Sequence, residues 1–151
     1  MTISTEIKYA MAEALENLPA TSNGTEIQDI VLAGDDAFDT YPVIRIVPQG
    51  MSREVNAERR YYTYTVNYVI SVYLEMGDAT IPDEEIIDTL QELSDNIMAR
   101  LDGTDWLPTV SGYDIYLVEN SMTANIDTTQ SKTGTALYCD IIYPVSYRKI
   151  V

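Results

Sequence analysis

The stretch from Tyr62 to Met76, YTYTVNYVISVYLEM, decides the fold. Every even-numbered position in it is apolar or aromatic, whereas most odd-numbered positions are polar. A strict period of two predicts a β-strand with one buried face. At about 3.3 Å per residue the strand spans roughly 50 Å, well beyond the usual length of about 5–6 residues. We therefore expect part of it to project beyond the body of the domain.

Amphipathic helices are predicted on both sides of this strand. Ile3–Leu18 carries an apolar stripe at helical spacing, and Pro19 should end it, because proline lacks the N–H and disfavours helix at the preceding residue. Residues 81–102 carry a second stripe, formed by Ile86, Leu90, Leu93, Ile97 and Leu101. Thr80 with Asp83 resembles a capping pair, and Gly103 is the expected C-cap.

The remaining apolar runs predict four more strands. They cover Glu26–Ala33, Tyr41–Val47, Tyr113–Ile126 and Gly134–Ile150. Pro144, inside the last of them, implies an edge strand or a bulge, because proline cannot donate to the ladder. The order of elements predicts an α+β fold, with a mostly antiparallel sheet of about five strands and both helices on one face. We expect one domain over residues 1–151.

Two polar segments are predicted as hairpin loops. Met51–Arg60 follows Pro48 and Gly50 and should form a long, exposed, projecting hairpin. Asp127–Thr133, DTTQSKT, should join the last two strands.

Composition excludes several classes of function. The 151 residues include 24 acidic and 9 basic ones, for a net charge of −15, which opposes gripping nucleic-acid phosphates with a basic stripe. The absence of histidine excludes Ser-His-Asp and Cys-His catalysis. A single cysteine, Cys139, excludes an internal disulfide and a thiolate zinc cluster, and its place in the last strand predicts a core residue. We therefore expect no enzyme and no cofactor.

No apolar stretch reaches the roughly 20 residues that a bilayer span needs. The N-terminal segment lacks the basic start of a signal peptide, so we expect the chain to fold in the cytosol of its producer.

Three features have both a functional and an ordinary explanation. Asp35-Asp36-Ala37-Phe38-Asp39 matches the D-D-x-x-D diphosphate motif of isoprenoid synthases, but those enzymes are larger and all-helical, which favours a chance match. The acidic residues of the second helix, between Asp83 and Asp95, either gather divalent cations or form a solvated helix face, and we favour the solvated face. The twelve tyrosines suit either a half-buried sheet or a surface that is buried on assembly.

Charge is unevenly distributed along the chain. Residues 41–60 carry a net charge of +2, whereas residues 1–40 carry −7 and residues 75–105 carry −9. The arginine-bearing hairpin is thus a positive feature on an acidic body, which head-to-tail pairing of subunits could use. We predict a subunit interface at Arg53, Arg59 and Arg60. The second choice is the loop Asp127–Thr133, with Asp127 and Lys132.

The layout of the whole chain resembles the tail terminator and tail-completion (tail-to-head joining) proteins of long-tailed bacteriophages and related archaeal viruses. An N-terminal helix leads to the strand YPVIRIVP (Tyr41–Pro48), and an arginine-bearing hairpin opens RRYYTYTVNYVISVYLE (Arg59–Glu75). The acidic helix EEIIDTLQELSDNIMARLDG, the turn TDWLP and the strand ALYCDIIYPVSYRKI follow. The resemblance rests on this layout and on strand character.

The resemblance implies a structural protein of the virion, made in the host cytoplasm. In that family an α+β subunit forms a ring, usually six-fold, on the finished tail tube, stops tube polymerisation and docks to the head connector. The family has no cofactor and no catalysis. Genome DNA would pass through an acidic lumen that repels it. Scarce lysine offers another cause for the acidity, a halophilic or marine host.

Several alternatives stay open at this point. Within the same class they are a head-closure protein and a tail-tube subunit. Outside it they are a small acidic metal-binding enzyme or regulator, and a DNA mimic.

Overall fold

The computed structural model describes residues 2–32, 38–56, 61–77, 81–118, 123–131 and 134–150. These ranges contain two α-helices, one short 3₁₀ helix and six strands. The helices are α1 (Ile3–Ala14) and α2 (Ile86–Leu101), and the 3₁₀ turn Asp83–Glu85 precedes α2. The strands are β1 (Asp29–Val31), β2 (Val43–Asn56), β3 (Tyr61–Glu75), β4 (Tyr113–Leu117), β5 (Thr123–Ser131) and β6 (Gly134–Lys149).

All six strands belong to one sheet with the order β1-β2-β3-β6-β4, and β5 pairs with the first half of β6. The β1–β2 pair is parallel and the other pairs are antiparallel. The predicted α+β class with a mostly antiparallel sheet is therefore confirmed. The sheet has one strand more than expected, because the predicted strand Tyr113–Ile126 is divided into β4 and β5.

The long strand lies at the centre of the sheet, as its sequence pattern predicts. β3 pairs with β2 along one edge and with β6 along the other. Its even-numbered residues from Val66 to Leu74 are fully or almost fully buried and share one core with both helices. Ile7 and Met11 of α1 and Leu90, Leu93 and Ile97 of α2 complete that core. Burial of one face explains the period of two.

Both helices are shorter than predicted. α1 ends at Ala14, with Leu15 as its C-cap and Thr2 as its N-cap. The chain therefore leaves the helix before it reaches Pro19. α2 begins at Ile86 and is capped by Glu85 without a side-chain hydrogen bond, and its C-cap is Asp102 where Gly103 was expected. Thr80, half of the predicted capping pair, lies outside the described residues.

The predicted loop Met51–Arg60 is wrong over its first six residues. Met51–Asn56 continues β2 and pairs with Tyr61–Val66 of β3, while residues 57–60 lie outside the described residues. Pro48 and Gly50 do not end the strand. Between them the register shifts by one residue, which is a β-bulge at Gln49. A bulge absorbs residues that are poor partners in a regular ladder and lets the pairing continue.

The predicted loop Asp127–Thr133 is also wrong in most of its length. Residues 127–131 belong to β5, where Asp127 pairs with Tyr138 and Ser131 pairs with Gly134. Its polar side chains fit a strand because residues 125–128 are exposed there. The predicted strand Glu26–Ala33 is reduced to the three residues of β1.

Pro144 lies in a central strand, where an edge strand or a bulge was expected. β6 pairs with β3 on one side, and on the other side Val145 pairs with Leu117 and Ile142 with Thr123. Pro144 thus faces the interval between β4 and β5, and neither of these strands pairs with it. The missing N–H is tolerated because the ladder is interrupted at this point.

Candidate subunit interface on the β2–β3 ribbon

The structure separates the predicted interface residues. Arg53 lies on β2 opposite Tyr64, whereas Asp127 lies on β5 opposite Tyr138. Tyr64 pairs with Tyr147, nine positions from Tyr138 along β6, so the two candidates are roughly 30 Å apart along the sheet. Arg59, Arg60 and Lys132 lie outside the described residues. Arg53 therefore marks one site and Asp127 another.

The bulge at Gln49 decides which residues of β2 share a face with the tyrosines of β3. Before the bulge, Ile44 and Ile46 lie opposite Val72 and Ile70. After it the odd-numbered residues take that place, with Met51 opposite Val66, Arg53 opposite Tyr64 and Val55 opposite Tyr62. Without the one-residue shift, Ser52 and Glu54 would occupy this face.

Apolar side chains on this part of the hairpin are exposed. We call Met51–Asn56 with Tyr61–Val66 the ribbon, and we call the surface formed by Met51, Arg53, Val55, Tyr62 and Tyr64 the ribbon face. Met51 is 55% exposed, Val55 58% and Tyr62 44%. These residues point to the side on which the helices pack, so their exposure means that the helices do not cover these three side chains. Contiguous exposed apolar side chains are typical of a surface that binds a partner.

Arg53 is integrated into the ribbon face. Its guanidinium lies 4.5 Å from the centroid of the Tyr62 ring, a distance that permits a cation–π contact. The stem of the side chain covers part of the ribbon while the charge stays at the surface. The ribbon face therefore combines apolar area with one fixed positive charge.

A row of aromatic rings connects the ribbon face to the core. The Tyr62 and Tyr64 centroids are 6.4 Å apart, Tyr64 stacks on Tyr147 at 5.2 Å, and Tyr113 meets the edge of Tyr147 at 6.3 Å. Tyr147 is buried, and burial is the main reason that its pKa is raised. The row changes from exposed to buried along its length, so it gives the ribbon face a rigid base.

The described side chains on the opposite face of the ribbon are polar. Ser52, Thr65 and Ser146 share a row across three strands, and the hydroxyls of Thr65 and Ser146 are 2.7 Å apart. In the next row Arg148 forms an ion pair of 3.1 Å with Asp114. The two faces thus differ sharply in chemistry, and the apolar one is the candidate interface.

Other candidate residues do not converge on a chemical site. Asp35 and Asp36 of the D-D-x-x-D match lie outside the described residues, and Asp39 is exposed. Burial raises the pKa of the Cys139 thiol, which lies in the core as expected. The segment Ser146–Lys149 also has the S-x-x-K spacing at which a lysine can activate a serine nucleophile, but strand geometry places Ser146 and Lys149 on opposite faces of β6.

The acidic helix forms a solvated face in the structure. Asp88 and Asp95 are exposed, and Glu92 accepts hydrogen bonds of 2.8 and 2.9 Å from the backbone and hydroxyl of Ser22. Within the described ranges, no three acidic or thiol side chains are grouped closely enough to hold a metal ion. In the same part of the chain, neither helix has the length and apolarity required to cross a membrane.

The sequence predicts Arg53 as a candidate interface residue but does not indicate its apolar neighbours. The pattern predicts a loop for Met51 and Val55 and therefore no face shared with Tyr62. The available signal was weak, because Val43 and Val47 obscure the alternation before Gln49, and only Met51 and Val55 mark an odd-numbered apolar phase after it. Such a change of phase is the pattern that a bulge leaves in a sequence.

The sequence matches no protein-family model, and no curated protein matches it.

Proposed function

We propose that the chain is a structural protein of a virus particle, the subunit of a ring that ends the tail tube and joins it to the head. The observation that carries the proposal is the ribbon, which presents exposed Met51, Val55 and Tyr62 on one face and polar residues on the other. A monomer gains nothing from exposing this face. A partner that covers it removes apolar area from water and supplies the free energy of association.

The assembly proposed here is a ring of head-to-tail contacts, not a two-fold dimer. Head-to-tail contacts close into a ring when the rotation between copies divides a circle. The resemblance in sequence layout adds the rest of the proposal: six copies, a tail tube protein on one side and a head connector on the other. A net charge of −15 would keep the genome from sticking as it passes through the lumen.

Electron microscopy of the purified protein tests this function. We expect single closed rings of one diameter, either free or after addition of tail tubes. Open-ended tubes would identify a tail-tube subunit. Immunogold labelling of intact particles should place the chain at the junction of head and tail, and particles without label at that junction would refute the proposal.

Substitutions on the ribbon link the function to its surface. Met51→Thr combined with Val55→Thr removes apolar area while keeping residues that suit a strand. We expect this variant to fold normally, as seen by circular dichroism, and to lose ring formation. Ser52→Thr combined with Glu54→Gln is the matched control on the polar face of the same strand and should assemble like the wild type.

A further inference from the structure

The outer face of α2 is negatively charged, which makes it complementary to the arginine-bearing ribbon face. Glu84, Asp88 and Asp95 are exposed along one side of the helix and its preceding turn, and Ile87 lies among them with 52% of its surface exposed. We call these four residues the acidic face. It is a negative surface with an apolar residue within it, whereas the ribbon face is an apolar surface with an arginine within it.

These two faces lie at opposite ends of the molecule. α2 starts soon after β3 ends at Glu75, and it ends where the Tyr143 hydroxyl donates to the Leu101 carbonyl oxygen. Tyr143 pairs with Tyr68, six positions after the ribbon residue Tyr62 along β3. At about 3.3 Å per residue, Arg53, opposite Tyr64, lies roughly 13 Å along the sheet from the end of α2, and Asp88 lies about 20 Å from that end along the helix axis, on the side away from the ribbon. One copy therefore cannot join its own two faces.

We propose that the partner of the ribbon face is the acidic face of a second copy of this chain. This inference rests on the proposed ring function and names the contact that would build the ring. Arg53 would face Asp88 and Glu84, while Met51 and Val55 would cover Ile87. Complementary charge sets the register of such a contact, and burial of the apolar side chains supplies most of its free energy.

In a ring the pairing is heterologous, with the two faces of each copy meeting two different neighbours. Each copy then accepts one neighbour on its ribbon and offers its helix to the next, which is the connectivity that a closed ring requires. Two acidic faces repel each other, so charge disfavours the symmetric alternative.

Charge exchange tests the pairing. Arg53→Glu should weaken self-association about tenfold or more, measured as the dissociation constant in sedimentation velocity, because a negative ribbon then meets a negative helix. Asp88→Lys should weaken it similarly from the other side. The double variant Arg53→Glu with Asp88→Lys restores opposite charges and should recover most of the wild-type affinity. Circular dichroism and the thermal midpoint of each variant show that it is folded.

The outcomes separate this inference from the proposed function. Rings that form equally well with Arg53→Glu would overturn the pairing and leave the ring function standing. Loss of binding to tail tubes with intact rings would show that the ribbon meets a different protein, which also overturns the pairing. Failure of the double variant to recover affinity, when both single variants are impaired and folded, would do the same. Label absent from the head–tail junction would refute the function itself.

Discussion

A single buried hydroxyl joins α1 to the centre of the sheet. Tyr68 is fully buried, and its hydroxyl donates to the backbone carbonyl of Ser4 at 2.8 Å. Burial raises the pKa of Tyr68 from 10.0 to about 12. At a pH between 10.0 and about 12, the Tyr68 hydroxyl is therefore deprotonated in the unfolded chain but still protonated in the folded chain. The free energy of unfolding is therefore undiminished by this group below pH 10 and should fall as the pH rises toward 12.

Tyr68→Phe keeps the ring and removes the titrating group. We expect a loss of about 1 kcal/mol at neutral pH, from the missing hydrogen bond, and a shallower decline of stability between pH 10 and 12. Urea unfolding at a series of pH values measures both. Tyr62→Phe changes an exposed ring on the same strand and should stay within about 0.5 kcal/mol of the wild type at neutral pH. Equal alkaline slopes for Tyr68→Phe and the wild type would contradict the assignment.

The last carbonyl of α2 receives two donors. The Tyr143 hydroxyl and the Trp106 Nε1–H both donate to the Leu101 oxygen, the latter at 3.2 Å, and all three residues are buried. Carbonyls in the last turn of a helix have no partner within the helix, so side chains must satisfy those that are buried. This pair of bonds attaches the end of α2 to β6 and to the turn that follows the helix.

A double-mutant cycle measures how far the two donors replace each other. Tyr143→Phe and Trp106→Phe each leave one donor on the carbonyl, whereas the double variant leaves the oxygen buried without either. We expect the double variant to lose about 1 kcal/mol or more beyond the sum of the single losses in chemical denaturation. Additive losses would mean that water or another group takes over the carbonyl.

At the level of elements, strong periodicity was predictable and interruptions were not. β3 and β6 follow from alternation alone, because each has a buried face along most of its length. The predicted strand Tyr41–Val47 ends too early, because Pro48 and Gly50 are residues that usually end strands. The bulge at Gln49 accommodates them instead, and the polar residues beyond it are paired with the long strand.

For a related reason, only residues 123–126 of β5 fall within a predicted strand, and the rest of β5 falls within the predicted loop Asp127–Thr133. The sequence of β5, TANIDTTQS, is polar, and its described side chains, residues 125–128, are exposed. A pattern based on burial cannot detect such a strand, because its stability comes from the backbone ladder to β6. The sequence pattern did not predict the division between β4 and β5 either. Pro144 lies at the place on β6 where the pairing is interrupted.

At the scale of the molecule, the sequence indicated the charged residue of the candidate site but not its apolar residues. Charge along the chain indicated Arg53, because residues 41–60 are positive on an acidic chain. The apolar part of the surface required the register of β2 against β3, which places Met51 and Val55 beside Tyr62. The separation of the acidic face from the ribbon face required the direction of α2 over the sheet. Neither relation is local in sequence, so periodicity and composition cannot supply it.

The acidity of the whole chain makes a prediction about folding that is independent of assembly. With a net charge of −15, repulsion among carboxylates opposes the compact state. The Debye length falls from about 30 Å at 0.01 M salt to about 8 Å at 0.15 M, so added salt should screen this repulsion. We expect the thermal midpoint to rise over that range when it is measured by calorimetry.

The effect is best measured where folding and association are separate. The Met51→Thr, Val55→Thr variant supplies a background in which we expect no rings. Adding Glu84→Gln, Asp88→Asn and Asp95→Asn to it removes negative charge from the exposed side of α2 only. This variant should melt higher than its background at low salt and respond less to added salt, because less repulsion remains to be screened. A midpoint that falls with salt in both proteins would mean that attractive ion pairs outweigh the repulsion.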